Sequence, residues 1–395
     1  MALPSGKIGH TDLNADFVAV DVEPGTGKYA RVLKNRANAS SELFSYPKAS
    51  WIEDPSIVDD SLITTGVAYN ALNGKAATSH SHSTEDISNF GDWAVISDVN
   101  NNIVFKTLDI GKWTAVADSK VGASTISGVN YGNGKYVTIG WDGEITYSPD
   151  AINWTLVSDS KFGTSAIYGV CYRNGKFVVV GSAGRIIYSS DAVTWTQVPN
   201  STFGSSHIKG ICYGDGKFVA VGNDGKMAYS SDGISWTKVP DSKFGSSISS
   251  SVCYGNGKFV AVGQYGKIAC SSNGISWTLV SDSKFGSVYI NSVCYGNGKF
   301  VAASNEGKIA YSSDGVNWTL VSDSKFGSSD VIGICYGNGK FIAVGARGKI
   351  AYSSDGINWT LVSDSKFGSG AIYGVCYGNG KFVAVGLSGR IFYCT

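Results

Sequence analysis

The chain has 395 residues, 43% of them hydrophobic, and this composition excludes both a disordered chain and a collagen-like one. Its 32 Lys and Arg side chains nearly balance 31 Asp and Glu side chains. We therefore expect neither nucleic acid nor an anionic membrane as a partner. No basic start with an apolar run opens the sequence, and no apolar stretch is long enough to span a bilayer, so we expect no signal peptide and no membrane insertion.

Residues 1–90 contain no repeat and are predicted to form an attachment and trimerisation segment. A β-hairpin is predicted between residues 17–22 and 29–34. Apolar residues from Val58 to Leu72 follow a 4-3-4-3 spacing, which suggests a short intertwined helix, although Gly66 interrupts it.

The polar stretch from Thr78 to Ile87 contains two histidines separated by one residue, His80 and His82. It resembles the His-x-His segments followed by Asp-Ile in tail-fibre proteins of tailed bacteriophages. This resemblance implies a homotrimer in the virion, made in the host cytoplasm and attached to phage tail or baseplate proteins through the N-terminal segment. It also implies a metal ion on the threefold axis, and an extended backbone would place both imidazoles on one side. The alternative is a solvated linker without metal, and no other cofactor is expected.

Residues 91–108 are predicted to be a connector with two strands, 93–96 and 103–106. These strands resemble the second and third strands of the repeat that follows. An irregular eighth blade therefore remains an alternative for this segment.

Residues 109–395 contain a repeat of 41 residues, the distance between Trp154 and Trp195 and between their equivalents. A period of about 40 to 45 residues is typical of β-propeller blades. One repeat contains four short segments rich in β-branched and aromatic residues and separated by turn residues, which predicts four strands, a to d, at 334–336, 340–344, 349–352 and 358–362. The fold class is therefore all-β, a seven-bladed propeller.

The two ends of the repeat region are predicted to complete one blade. Residues 393–395 occupy the register of residues 352–354, and the sequence from Asp109 to Trp113 continues that register. The last blade therefore takes its outer strand d, near residues 113–116, from the start of the domain, which closes the ring.

The cysteines and tryptophans of the repeat are predicted to be structural. Equivalent positions on different blades should be too far apart for a disulfide, so six of the eight cysteines are expected to be buried thiols: Cys171, Cys212, Cys253, Cys294, Cys335 and Cys376. The repeated tryptophans are expected to pack between blades rather than to stack on a ligand.

The phrase Tyr-Ser-Ser-Asp-Gly-x-x-Trp resembles the Asp-box turn of sialidase-like propellers, Ser-x-Asp-x-Gly-x-x-Trp. This chain has one residue fewer between Asp and Gly, and Asn273 replaces the aspartate in one copy. The resemblance implies a propeller in which the box is a structural turn away from any active site.

The repeats differ from one another mainly in the b–c tips and in the d–a connections, which an up-and-down blade places on one face. Such a pattern indicates a recognition surface on a constant scaffold, with free drift of exposed loops as the alternative. The candidate ligand-binding residues on this face are Trp141, Asp142, Tyr168, His207, Lys209, Tyr265, Tyr289, Glu306, Asp330, Arg347 and Tyr373. Aromatic rings and charged side chains of this kind suit sugar binding.

Three functions are compatible with these features. The first is a phage receptor-binding protein whose propeller binds a bacterial surface glycan during host adsorption. The second is a sialidase-like glycosidase, which needs a pair of carboxylates that breaks the sevenfold pattern; no such break is evident, so no catalytic residue is predicted. The third is an intracellular assembly scaffold similar to the propeller factors of photosystem assembly, which would not need residues 1–90.

Overall fold

The computed structural model describes residues 110–395 throughout and, before them, the backbone of five strands. The backbone divides into two units, Met1–Thr107 and Leu108–Thr395. His80 and His82, for which a metal ion was predicted, lie outside the described residues, as do the helix predicted from Val58 to Leu72 and Asp109.

The first unit contains two small antiparallel sheets. The predicted hairpin is formed by β1 (Phe17–Glu23) and β2 (Lys28–Leu33), and β3 (Phe44–Pro47) extends it. A second sheet consists of β4 (Trp93–Ser97) and β5 (Ile103–Thr107), which pair only with each other among the described strands. This pair is therefore a two-stranded sheet and not a four-stranded eighth blade.

The second unit contains seven four-stranded antiparallel sheets, each with its strands in the order a-b-c-d. It starts with β6 (Thr114–Ala115). Blades 1 to 3 comprise β7 (Ile126–Gly132), β8 (Lys135–Gly140), β9 (Ile145–Ser148), β10 (Thr155–Leu156); β11 (Ile167–Arg173), β12 (Lys176–Gly181), β13 (Ile186–Ser189), β14 (Thr196–Gln197); and β15 (Ile208–Gly214), β16 (Lys217–Gly222), β17 (Met227–Ser230), β18 (Thr237–Lys238).

Blades 4 to 7 repeat this arrangement. They comprise β19 (Ser249–Gly255), β20 (Lys258–Gly263), β21 (Ile268–Ser271), β22 (Thr278–Leu279); β23 (Ile290–Gly296), β24 (Lys299–Ser304), β25 (Ile309–Ser312), β26 (Thr319–Leu320); β27 (Val331–Gly337), β28 (Lys340–Gly345), β29 (Ile350–Ser353), β30 (Thr360–Leu361); and β31 (Ile372–Gly378), β32 (Lys381–Gly386), β33 (Ile391–Cys394). Single 3₁₀ turns lie between strands b and c of blades 2 to 7, at Ser182–Gly184, Asn223–Gly225, Gln264–Gly266, Asn305–Gly307, Ala346–Gly348 and Leu387–Gly389. The predicted seven-bladed all-β propeller is confirmed.

The ring closes as the sequence predicted. The outer strand of blade 7 is β6, in which Thr114 pairs with Tyr393 and Ala115 with Phe392. The N–H of Val116 adds a hydrogen bond of 2.9 Å to the carbonyl of Ile391. On the inner side of the ring β31 contacts β7, as every other inner strand contacts the next one along the chain. The closing blade thus joins both ends of the domain without a free inner edge.

The core consists of seven apolar clusters, each formed by two neighbouring sheets. In one of them Val137 and Ile139 of blade 1 pack against Phe177 and Val179 of blade 2, and Trp195 covers the cluster. Burying both faces of each sheet in this way provides the hydrophobic stabilisation that a single blade lacks. All seven repeat tryptophans are buried, so their predicted packing role is confirmed.

The Asp-box phrase forms the turn between strands c and d. In blade 3 the carboxylate of Asp232 accepts hydrogen bonds from the N–H groups of Ile234 and Ser235 at 2.8 and 2.7 Å. The indole N–H of Trp236 donates to the carbonyl of Gly233 at 3.2 Å. The residues just before Trp236 therefore belong to the turn and not to strand d. Strand d has two residues, Thr237 and Lys238, fewer than the five predicted for the equivalent segment.

All eight cysteines are free thiols. Of the six predicted to be buried, Cys253 and Cys376 are buried and the other four are partly buried. Burial raises the pKa of Cys171 to about 12 and raises the pKa of Cys212 well above its ordinary value. The thiol is the stable form of these side chains at neutral pH, because a buried thiolate would lose its hydration.

No helix in the described part of the chain is both long and apolar enough to cross a membrane. Within those same residues, no group of three or more His, Cys, Asp or Glu side chains is arranged to hold a metal ion.

Candidate binding site at the channel mouth

The two variable sets of the repeats lie on one face, called here the loop face: the b–c tips and the d–a connections. In blade 3 the N–H of Asn223, at the b–c tip, donates to the carbonyl of His207, just before the inner strand, at 2.9 Å. The same bond recurs in every blade, joining Trp141 to Thr125, Ser182 to Ala166, Gln264 to Ile248, Asn305 to Tyr289, Ala346 to Asp330 and Leu387 to Ala371. The predicted placement of both sets on one face is confirmed.

The constancy of the opposite face has a structural cause. Lys135, the first residue of strand b in blade 1, donates to the carbonyl of Asp191 in the c–d turn of blade 2 at 2.8 Å. The amide of Asn133 donates to the carbonyl of Ser190 at 3.1 Å. Equivalent bonds join blade 4 to blade 5, from Lys258 to Asp314. These turns are kept alike by bonds between blades, so the contrast between the two faces does not by itself indicate recognition.

Each inner strand carries a β-bulge at its loop-face end. In blade 1 the pairing with β8 shifts between Ile126 and Gly128, which leaves Ser127 as the extra residue. The shift recurs in the other six blades at Ile167/Gly169, Ile208/Gly210, Ser249/Ser251, Ile290/Ser292, Val331/Gly333 and Ile372/Gly374. A bulge redirects a side chain out of the regular pleat. The bulge residues of the seven blades are of five types: Ser127, Tyr168, Lys209, Ser250, Asn291, Ile332 and Tyr373.

The three small polar bulge residues bind the neighbouring inner strand. The hydroxyl of Ser127 donates to the carbonyl of Ile167 at 2.7 Å, and that of Ser250 donates to the carbonyl of Ile290 at 2.5 Å. The amide of Asn291 donates to the carbonyl of Val331 at 2.8 Å. These side chains therefore help to hold adjacent blades together around the axis.

The larger bulge residues surround the mouth of the central channel. The ammonium group of Lys209 lies 3.6 Å from the ring centroid of Tyr168, a cation–π contact. Across the seam between blades 7 and 1, the ring centroids of Tyr373 and of Trp141, at the b–c tip of blade 1, are 5.0 Å apart and the rings are tilted by 55°. Trp141 is 41% exposed, so it presents aromatic surface to a ligand.

These side chains line a cavity of about 380 Å³ in which all seven inner strands take part. Its volume lies within the range of small-molecule sites, roughly 300 to 1,000 Å³. Five of the predicted binding residues line it: Trp141, Tyr168, Lys209, Tyr289 and Tyr373. Burial raises the pKa of Tyr289 and of Tyr373, so both phenols are hydrogen-bond donors at neutral pH. The structure thus gathers four aromatic rings and one cation at the channel mouth.

The other predicted residues do not line this cavity. Tyr265, Glu306 and Arg347 occupy the middle of their b–c tips with φ of 60°, 59° and 58°, and their side chains are exposed. Asp142 is exposed at the tip of blade 1. Three residues with such different side chains share a left-handed backbone, so this conformation is set by the shape of the tip and not by the residue type.

His207 and Asp330 have hydrogen-bonding roles between blades. The Nδ1 atom of His207 accepts the N–H of Ala183 at 3.1 Å, and the carboxylate of Asp330 accepts the N–H of Glu306 at 3.1 Å. Each side chain thereby caps the tip of the preceding blade. The sequence predicted both residues as ligand-binding ones and did not reveal these structural roles.

The cavity also contains residues that were not predicted. Ser127, Ser250, Asn291 and Ile332 line it. The signal was available, because they stand at the same repeat position as Tyr168, Lys209 and Tyr373. Within the described chain, the lining of this cavity includes no carboxylate, imidazole or thiol side chain.

The family model of the DUF6242 beta propeller domain matches residues 149–282. That match covers less than half of the chain. Comparison with curated proteins gives no match.

The chain is similar in fold to several solved propellers. YCF48 bound to D1 peptide is 16% identical with a TM-score of 0.59, covering 72% of this chain and 94% of that one. A catalytically inactive virginiamycin B lyase from Staphylococcus aureus, with quinupristin, is 12% identical with a TM-score of 0.57, covering 72% and 99%. The WD40 propeller of Doa1 is 16% identical with a TM-score of 0.53, covering 72% and 97%. At these identities the similarity concerns the fold alone.

Proposed function

We propose that this chain is a phage receptor-binding protein whose propeller binds a bacterial surface glycan at the channel mouth during host adsorption. The observation that carries the proposal is the cavity of about 380 Å³, lined by four aromatic side chains and one lysine. Aromatic faces pack against the C–H groups of a sugar ring, while hydroxyl and amide groups bind its hydroxyls. Trp141 and Tyr373 provide the faces. The NH2 group of Asn291 already donates to Asn305 and Val331, so Asn291 provides its amide oxygen as an acceptor.

The attachment of this propeller to a virion is supported by the sequence phrase around His80 and His82, which resembles tail-fibre segments. In this proposal residues 1–90 bind tail or baseplate proteins and form a homotrimer. A metal ion held by the paired histidines of three chains belongs to the same proposal. Three linked propellers would raise the avidity of a weak sugar site by about 10² to 10⁴.

We propose binding without catalysis. Hydrolysis of a glycosidic bond requires a carboxylic acid and a second carboxylate at the scissile bond. No carboxylate side chain belongs to the cavity lining within residues 110–395. Release of reducing sugar from a bound polysaccharide would contradict this proposal and favour a glycosidase.

The test is a bacterial glycan array probed with the full-length chain. Trp141→Ala removes an exposed stacking face and is expected to weaken binding about tenfold or more. Leu156→Ala is the matched control, because Leu156 is 48% exposed on the outer strand of the same blade and far from the cavity lining in sequence and fold. Both variants should keep the stability of the parent.

The same array decides between the channel mouth and the tips. Tyr265→Ala and Arg347→Ala change exposed tip residues and are expected to leave binding intact. If they abolish binding while Trp141→Ala does not, the site lies on the tips. Binding to cells that survives periodate treatment, or binding to peptides alone, would favour an assembly scaffold over glycan recognition.

A further inference from the structure

The channel mouth carries a single charge. Of all the residues that line the cavity, only Lys209 has an ionised side chain. It is the bulge residue of blade 3, half-buried, and its ammonium group lies over the ring of Tyr168. The ring partly compensates for the loss of hydration but supplies no negative charge.

Other lysines of the loop face already have partners. In the d–a connections Lys243 pairs with Asp241 at 2.6 Å, and at a b–c tip Lys308 pairs with Glu306 at 3.1 Å. Lys226 donates to the carbonyl of Phe203 at 2.9 Å. For Lys209, by contrast, no carboxylate within the described residues lies at ion-pair distance, so it remains available to an anion from outside.

Three of the four aromatic side chains lie on the same side of the mouth as this cation. Lys209 and Tyr168 belong to neighbouring blades 3 and 2, and Trp141 and Tyr373 belong to blades 1 and 7. The opposite side is uncharged, with Ser250 and Asn291 beside Tyr289 and Ile332. A ligand that matches this order has a sugar ring next to the tryptophan and a negative group beside the lysine.

Resting on the proposed function, we propose that the channel mouth selects acidic glycans, in which a sugar carries a carboxylate or a phosphate group that pairs with Lys209. Both groups offer the oxygen acceptors that an ammonium group binds. An uncharged glycan would leave the half-buried cation unpaired and would bind more weakly. The channel mouth therefore selects a ligand by its negative charge at Lys209 and by the stacking of its sugar ring at Trp141.

The experiment measures binding of the full-length chain to four probes of similar length. They are a hexuronic acid oligosaccharide, a phosphorylated oligosaccharide, a neutral glucan oligosaccharide and a polyglutamate peptide. Lys209→Gln is expected to weaken binding of an acidic glycan by a factor of about 10 to 100 and to change neutral glycan binding far less. Lys209→Arg is expected to retain most of the binding, because it keeps the charge.

Lys238→Gln is the matched control, since Lys238 is an exposed lysine on the outer strand of the same blade. It makes the same change in net charge and is expected to have no effect. The carboxylate and phosphate probes distinguish the two sources of the negative group, and preference for either supports the proposal.

The outcomes separate the two levels of the proposal. If glycans bind but Lys209→Gln affects acidic and neutral probes equally, or neither, the selectivity is wrong and glycan recognition stands. If only polyglutamate binds, or if no glycan binds while the variants remain folded, the glycan function fails and the selectivity fails with it.

Discussion

The hydroxyl of Tyr136 in blade 1 donates a hydrogen bond to the carbonyl of Gly378 in blade 7, across the junction where the ring closes. The other six blades have phenylalanine at the equivalent position, at Phe177, Phe218, Phe259, Phe300, Phe341 and Phe382. The extra hydroxyl therefore occurs only at the junction between the first and last blades, whose covalent connection is the least direct in the ring.

The first prediction concerns this bond. Tyr136→Phe is expected to lower the free energy of unfolding by about 1 kcal/mol, the usual net value of a hydrogen bond. Because phenylalanine fits this site in six other blades, the ring packing should not change. Urea unfolding of the parent and the variant measures the difference. An equal slope of the unfolding free energy against urea concentration in both proteins checks that they unfold in the same way. A variant as stable as the parent would show that the junction does not depend on this bond.

The second prediction concerns the contact between each inner strand and the next. A Cβ atom at Gly296 would lie 2.0 Å from the Cγ atom of Tyr336 in the following blade. Gly296→Ala is expected to cost about 1 to 3 kcal/mol, the usual penalty of overpacking. Gly370→Ala is the matched control, since its nearest neighbour would be at 3.4 Å. Equal thermal stability of the two variants would contradict the packing argument.

The third prediction concerns pH. Hydrogen bonds from the backbone, that from Ser235 first, lower the pKa of Asp232 to about 2. In blade 4, Asn273 accepts the equivalent backbone bonds at 2.9 Å without a charge. Asn273→Asp is therefore expected to add about 0.5 to 1 kcal/mol at neutral pH, a modest value because the carboxylate is largely exposed.

The sign of this effect follows from the lowered pKa. The gain should be complete above the unfolded pKa of about 3.9 and should disappear as the pH falls through about 2. Unfolding curves of parent and variant between pH 7 and pH 2 measure it. Asp232→Asn provides the reverse change, and a gain that persists at the lowest pH would contradict this explanation.

The fourth prediction concerns thiol reactivity. Burial raises the pKa of Cys171 to about 12, whereas Cys270 lies in a third strand, is only partly buried and has a less strongly raised pKa. A disulfide reagent at pH 8 is expected to label Cys270 first in the folded chain, because the thiolate is the reactive form. Peptide mapping by mass spectrometry identifies the labelled residue, and Cys270→Ser should remove the early phase. Early labelling of Cys171 would mean that the inner strands open.

The sequence predicted the ring better than the site. The tail residues and the start of the domain share one repeat register, so the pairing of Tyr393 with Thr114 could be inferred from the spacing alone. The bulges could not, because a bulge is a mismatch between two paired strands and leaves no mark on the periodicity of either. As a result, Tyr168 and Lys209 were predicted on the correct face but without the channel mouth that brings them together.

The turns on the face opposite the loop face are nearly constant, and the sequence alone suggested a wrong explanation for this. Lys135 has its partner at Asp191 in the next blade, a relationship that one chain cannot reveal by its pattern. His207 is a similar case, since its ring accepts a backbone N–H from the preceding blade. Where neighbours come from different repeats, the sequence gives the residue but not its partner.

The bulge residue of each blade can differ without any change in the strand pairing on which the fold depends. This extra residue takes no part in the pairing of strands a and b, so Ser127 in one blade and Tyr168 in the next occupy the same backbone without altering the ladder. Each repeat thus contributes one exchangeable position to a common rim. Substitution at the larger bulge residues, such as Tyr168 and Tyr373, would change the lining of the channel mouth while leaving the strand pairing intact. Under the proposed function, this is a route by which such a scaffold can evolve to follow a changing target.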